Sequence, residues 1–145
     1  MKAFLRIVLS IIPFIYMALI WYMSSNPDDL ILDLPSSATD RFIKEALHLI
    51  EFAILYVLFV VALAANHKLT AAASLTAAII AGLYGITDEL HQSFVPARSA
   101  TLIDAIKDIV GVLAVYFHIQ YHYFKHHRGF LTVIERILPK KQRDV

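Results

Sequence analysis

LTAAASLTAAIIAGLYGITDELHQ, residues 69–92, passes from membrane-like composition to a dense polar cluster within one stretch. From Leu69 to Ile86 no residue carries a charge, and at a rise of about 1.5 Å per residue this run is about 27 Å long as a helix, close to the ~30 Å hydrocarbon thickness of a bilayer. Gly82 and Gly85, with Ala71, Ala72, Ala73, Ala77, Ala78 and Ala81, are the small residues that let helices approach closely. They serve equally for packing within one bundle or between copies. The run then ends on Asp88-Glu89-Leu90-His91-Gln92, where Asp88, His91 and Gln92 share a face if the helix continues.

Three further runs flank this one. Asn66 to Lys68 is only a turn, and before it a second helix begins near Arg41 and is purely apolar from Phe52 to Ala65. Asn26 to Asp40, with Pro27, Pro35, Ser36, Ser37 and several Asp, reads as a polar loop. Ahead of it lies the first run, Phe4 to Met23, in which Pro13 predicts a kink. Lys2 and Arg6 resemble the start of a signal peptide, but no small-x-small cleavage site follows near Met23, Ser24 and Ser25, so the segment is read as retained. The fourth run, Leu102 to Phe124, carries Asp104, Lys107 and Asp108 in its first two turns.

Composition agrees with this pattern. The 145 residues are 59% apolar and 17% charged, against about 45–50% and about 25% in soluble domains. The mean hydropathy is +0.64. A net charge of +1 leaves no basic surplus for nucleic acid, and the absence of Cys excludes disulfides, thiolate ligands and a Cys nucleophile. The expected fold is all-α: a multi-pass plasma-membrane (inner-membrane) four-helix bundle over residues 1–127 and a basic tail over 128–145. Nine of the 13 basic residues (Lys2, Arg6, Lys68, Lys125, Arg128, Arg136, Lys140, Lys141, Arg143) fall on one side when both termini are cytoplasmic, and Arg41, Lys44, Arg98 and Lys107 on the other. Under this orientation ten of the 12 acidic residues face outward.

Ionisable residues in membrane helices face the bundle interior or a watery cavity, which makes their positions informative. Lys44, His48 and Glu51 fall within about 60° of arc on the second helix, with Leu55 and Leu58 continuing the stripe inward. Asp104 and Asp108 lie about 40° apart on the fourth, with Gly111 on the same stripe. Together with Asp88, Glu89, His91 and Gln92 they converge near the external leaflet. One reading is a polar network that ties the helices together. The other is a pocket in which His91 acts as acid or base beside Asp88 and Glu89, while His48, Glu51, Gln92, Arg98, Asp104 and Asp108 bind the ligand. His48-x-x-Glu51 and Asp88-x-x-His91 also suit a metal, but no His-Glu-x-x-His supports that reading, and no metal is assigned.

The stretch Asp88-Glu89-Leu90-His91-Gln92-Ser93-Phe94-Val95-Pro96-Ala97-Arg98-Ser99, followed by Asp104, Asp108 and Gly111, resembles the VanZ-like family of small bacterial membrane proteins. Ser24-Ser25 and the element Asp40, Arg41, His48, Glu51 match it as well, so the resemblance spans about Phe4 to Phe117. Ala97 departs from the family's usual Gly, and Asp108 stands where many relatives have Asn. The resemblance implies a cell-envelope role linked to teicoplanin tolerance. It names no reaction, and the chain has no phosphate-binding Gly-rich loop, Gly-x-Ser-x-Gly elbow or Walker signature, so no cofactor is expected.

Arg98 is open to two roles: a salt bridge to Asp88, Asp104 or Asp108, or a fork that grips an anionic head group. His118, His122 and His126, interleaved with Tyr116, Tyr121 and Tyr123, form an interfacial belt rather than a metal clip. Phe130, Leu131, Val133, Ile134, Ile137 and Leu138 then recur at helical spacing. They predict a short amphipathic helix on the inner leaflet, with Lys140, Lys141 and Arg143 drawn to anionic lipid. Three functions follow: a modulator binding a lipid-linked cell-wall precursor or lipoglycopeptide, an intramembrane enzyme acting on such a lipid, and a proton-coupled carrier. The carrier ranks last, because the ionisable groups gather at one face and leave no relay across the bilayer.

Overall fold

A computed structural model describes residues 1–26, 37–96 and 101–139, with the helical backbone alone for residues 37–46 and 48. All the regular structure among them is helical. The order is α1 (Lys2–Ser24), α2 (Ser37–Ala65), α3 (Ala71–Gln92), α4 (Leu102–Ile119), a π-helical turn (Gln120–Lys125) and α5 (Phe130–Ile137). Two of these, α1 and α3, are long and apolar enough to cross a membrane. In α2 the apolar part is Leu49–Ala65, and α4 opens with three charged residues, so neither is as apolar over its whole length.

The second helix starts at Ser37, inside the segment expected to be loop. Hydroxyl and acidic side chains at Ser37, Thr39 and Asp40 are turn formers mid-chain, but they are equally the residues that suit a helix N-terminus, where unpaired N–H groups and the helix dipole favour them. The rest of that segment, residues 27–36, lies outside the described residues, as do Ala97, Arg98 and the basic tail from Lys140. The third helix continues unbroken through Gln92, which meets the condition for Asp88 and Gln92 to share a face.

Helix ends explain the short links. After α2 the chain turns at His67, with φ 53°, and His67 N–H donates to the Ala64 carbonyl and Lys68 N–H to the Leu63 carbonyl. This is the left-handed helix stop that glycine usually makes. Thr70 caps α3 by accepting from the Ala73 N–H, and Thr101 caps α4 by accepting from the Asp104 N–H.

The second helix is the centre of the molecule and packs on α1, α3, α4 and α5. Phe52, Leu55, Tyr56, Val60 and Ala64 of α2 are buried with Ile20, Ala77, Ala78, Ala81, Val112, Ile119 and Leu131. Small residues turn inward on α3, while Leu75, Ile79, Ile80, Leu83, Ile86 and Leu90 turn outward. Among the described residues, the buried polar ones are Ser24, Ser74, Asp88, Glu89, Gln92 and Asp108. On α3, small and polar residues inside with large apolar residues outside is a distribution suited to hydrocarbon surroundings.

Glycine permits the closest approach. A Cβ at Gly111 of α4 would collide with the Leu49 backbone carbonyl of α2, and one at Gly85 of α3 would lie 3.1 Å from Asp108 Cβ and 3.3 Å from Phe52 Cδ2. These contacts bring the carboxylate-bearing turns of three helices to one end. At the opposite end α5 buries Leu131 and lies beside α2. Arg6 donates to the Leu138 and Pro139 carbonyls, His67 also meets the Leu138 carbonyl, and Tyr123 donates to Glu135 at 2.7 Å.

Candidate functional site

The polar end of the bundle is assembled from the last turns of α1 and α3, the first turns of α4 and the middle of α2. Asp88 is 1% exposed. Its Oδ2 accepts from Ser24 Oγ at 2.8 Å and from Gln92 Nε2 at 2.6 Å, and Gln92 Nε2 also lies 3.3 Å from Ser24 Oγ. A buried carboxylate needs such donors, since hydrogen bonds to a charged group contribute about 1.5–3 kcal/mol each and an unmet one costs at least as much. The spacing of Asp88 and Gln92, one helical turn apart, places both donor and acceptor against α1.

His91 lies one step around α3 and is only half-buried. Its ring stacks on Trp21 of α1, with centroids 3.9 Å apart and planes inclined by 22°. Its Nε2 lies 3.0 Å from Ser25 Oγ, and that hydroxyl donates to the Trp21 carbonyl at 2.7 Å. The ring is thus set by α1, through Trp21 and Ser25, rather than by Asp88 and Glu89. Tyr84, a turn deeper, also ties α3 to α1 by donating to the Met17 carbonyl at 2.7 Å.

The other carboxylates converge around Asp108, which is fully buried on α4 against Gly85. Glu89, Glu51, Asp88 and Asp104 all lie close enough to act on it electrostatically. Glu51 of α2 is half-buried and lies within electrostatic reach of Tyr16 of α1 and Tyr84 of α3. Asp104 has a separate occupation: it accepts from Thr101 Oγ1 at 2.6 Å and from Lys107 Nζ at 2.7 Å, forming a helix cap and an i,i+3 ion pair. Among the described residues no three His, Asp or Glu side chains are arranged to hold a metal ion. The side chain of His48, and Arg98 as a whole, lie outside the described residues.

Residues 3–123 match the family described as VanZ/LLP1. The chain belongs to the VanZ/LLP1 family. No curated protein and no solved structure matches it. Family membership together with the two apolar helices points to membrane association.

Within this VanZ/LLP1 member, sequence reading singled out Asp88, Glu89, His91, Gln92, Glu51, Asp104 and Asp108, and the fold gathers all seven at one end. It did not give Trp21, Ser24 and Ser25 a place in the site, although the Ser24-Ser25 pair contributed to the resemblance. Two hydroxyls at the end of an apolar helix look like ordinary chain termination. A reader of sequence alone has one signal available, the pairing of hydroxyl donors with a carboxylate and an imidazole at the ends of two neighbouring spans.

At the other end, the His118 and His122 rings meet at 4.3 Å with their planes inclined by 36°, but the π-helical turn changes the register and His126 meets Tyr121 instead, at 4.5 Å. Lys125 lies over the same Tyr121 ring at 5.4 Å. The three His do not form one line, because a π-turn takes more residues per revolution than the α-helix assumed for an every-fourth repeat.

Proposed function

We propose that this protein crosses the plasma membrane four times with both termini in the cytoplasm, and that its outward polar end binds a lipid-linked cell-wall precursor or a lipid-tailed glycopeptide, altering that molecule's access to envelope targets. The observation that carries this reading is the pairing of a buried Asp88–Ser24–Gln92 cluster with the half-exposed His91–Trp21 stack at the same helix ends. Buried carboxylates are costly in an apolar bundle, and the imidazole beside them is open to a ligand. Trp21, Leu90 and Phe94 add exposed apolar surface in the same turns, suited to a lipid-bearing molecule at the membrane–water boundary. The bias of Lys and Arg supports placing this end outside.

The test is expression in a susceptible Gram-positive host, with teicoplanin and vancomycin tolerance compared for wild type, Asp88→Asn and His91→Ala at matched membrane levels. A selective rise in teicoplanin tolerance with wild type, lost in both variants, is the expected result. No rise with wild type sinks the reading.

A second reading, an intramembrane enzyme acting on a lipid-linked envelope substrate, is favoured by one contact. Ser25 Oγ and His91 Nε2 are 3.0 Å apart, the spacing of a hydroxyl nucleophile and its base once the hydroxyl turns from the Trp21 carbonyl to the ring. It predicts a modified lipid precursor in extracts of expressing cells, absent with His91→Ala.

A further inference from the structure

We propose that Ser25 is a positioning residue that holds His91 in its Nε2–H tautomer, so that Nδ1 is the ring nitrogen offered to a hydrogen-bond-donating group of the ligand, such as a hydroxyl, amide or ammonium. This rests on the reading above that His91 meets the ligand. The argument is one of counting protons. A serine hydroxyl has a single O–H, and a carbonyl oxygen can only accept. Ser25 Oγ lies 2.7 Å from the Trp21 carbonyl oxygen and 3.0 Å from His91 Nε2. With the O–H committed to the carbonyl, the serine oxygen has only lone pairs left for the imidazole, and Nε2 must donate. A neutral imidazole carries one N–H, so Nδ1 keeps its lone pair and is the basic atom.

The opposite arrangement turns the Ser25 O–H onto Nε2 and gives His91 an Nδ1–H. It is the geometry of a nucleophile and its base, and it leaves the Trp21 carbonyl with only the longer contact from the Ser25 backbone N–H, at 3.1 Å. The shorter distance to the carbonyl favours the first arrangement. Trp21 fixes the imidazole twice over: its indole face sets the ring plane, and its carbonyl claims the serine proton that sets the tautomer. Ser25 is exposed and His91 half-exposed, so the pair is accessible from the polar end.

The test uses the full chain labelled with ¹⁵N-histidine in lipid nanodiscs, at a pH where the ring is neutral. The His91 signals are assigned by their loss in His91→Gln. The expected wild-type pattern has Nε2 protonated and Nδ1 unprotonated. In Ser25→Ala the two nitrogen shifts move toward each other as the tautomers mix, and Ser25→Thr restores their separation. Trp21 is the sole tryptophan, so its emission reports whether the ring stack persists in each variant. An unprotonated Nε2 in wild type overturns the proposal and favours Ser25 as a nucleophile. An unchanged nitrogen pattern in Ser25→Ala with the stack intact overturns it as well. The nitrogen spectrum reads the proton's position and the tolerance assay reads the envelope phenotype, so failure of either is distinguishable from failure of the other.

Discussion

Asp88 shows how a buried carboxyl group in an apolar bundle is made tolerable, because one oxygen accepts from donors on two helices. An amide oxygen in the same place accepts both hydrogen bonds, so Asp88→Asn is expected to change stability by less than about 1 kcal/mol while removing the carboxylate on which the proposed ligand recognition depends. Ser24→Ala removes a donor from a buried acceptor and is expected to cost about 1–3 kcal/mol. Unfolding of the two variants in detergent separates them, and equal losses would count against the proposed hydrogen-bond geometry. At this scale Asp88, His91 and Gln92 were legible in sequence through their helical spacing. Their partners Ser24, Ser25 and Trp21 were not, because a contact across more than 60 positions leaves no periodic trace.

Between elements, glycine contacts govern how closely the helices pack. Gly111→Ala drives a methyl into the Leu49 carbonyl, so α2 and α4 must separate. A loss of about 2–3 kcal/mol or more is expected from such overpacking. Gly82, equally helical, has nothing within 4 Å of a new Cβ. Gly82→Ala is therefore expected to be neutral or to stabilise by up to about 1 kcal/mol, since alanine is the better helix former. Measuring the two side by side tests the packing, and comparable destabilisation would show that the close approach is at the wrong helix pair. Gly111 was marked in sequence as lying on the Asp104–Asp108 stripe, but which helix it met was not legible. Asp104 was likewise marked in sequence among the acids of the polar end, but its hydrogen bond from Thr101 and ion pair with Lys107 were not legible there.

For the whole molecule, the prediction concerns sidedness. The chain has no Cys, so single cysteines can be introduced without background. Ser93→Cys, exposed at the polar end, is expected to react with an impermeant maleimide on intact cells, whereas Lys68→Cys, exposed at the opposite end, should react only after permeabilisation. The reverse labelling would place the carboxylate end in the cytoplasm and remove an envelope ligand from consideration.

Sequence by itself determined the helical class, the approximate runs, the family and the gathering of charge at one end. Each of these depends on run length, periodicity or residue type, which are local quantities carried along the chain. Only the tertiary structure decided that α2 is the central helix, that α1 supplies the hydroxyls and indole for the acid and imidazole of α3, and that Asp108 is enclosed against Gly85. Those outcomes depend on which helix faces meet. That choice is made by shape at Gly85 and Gly111 and by the demand of buried polar groups for partners, neither of which appears until the helices are packed.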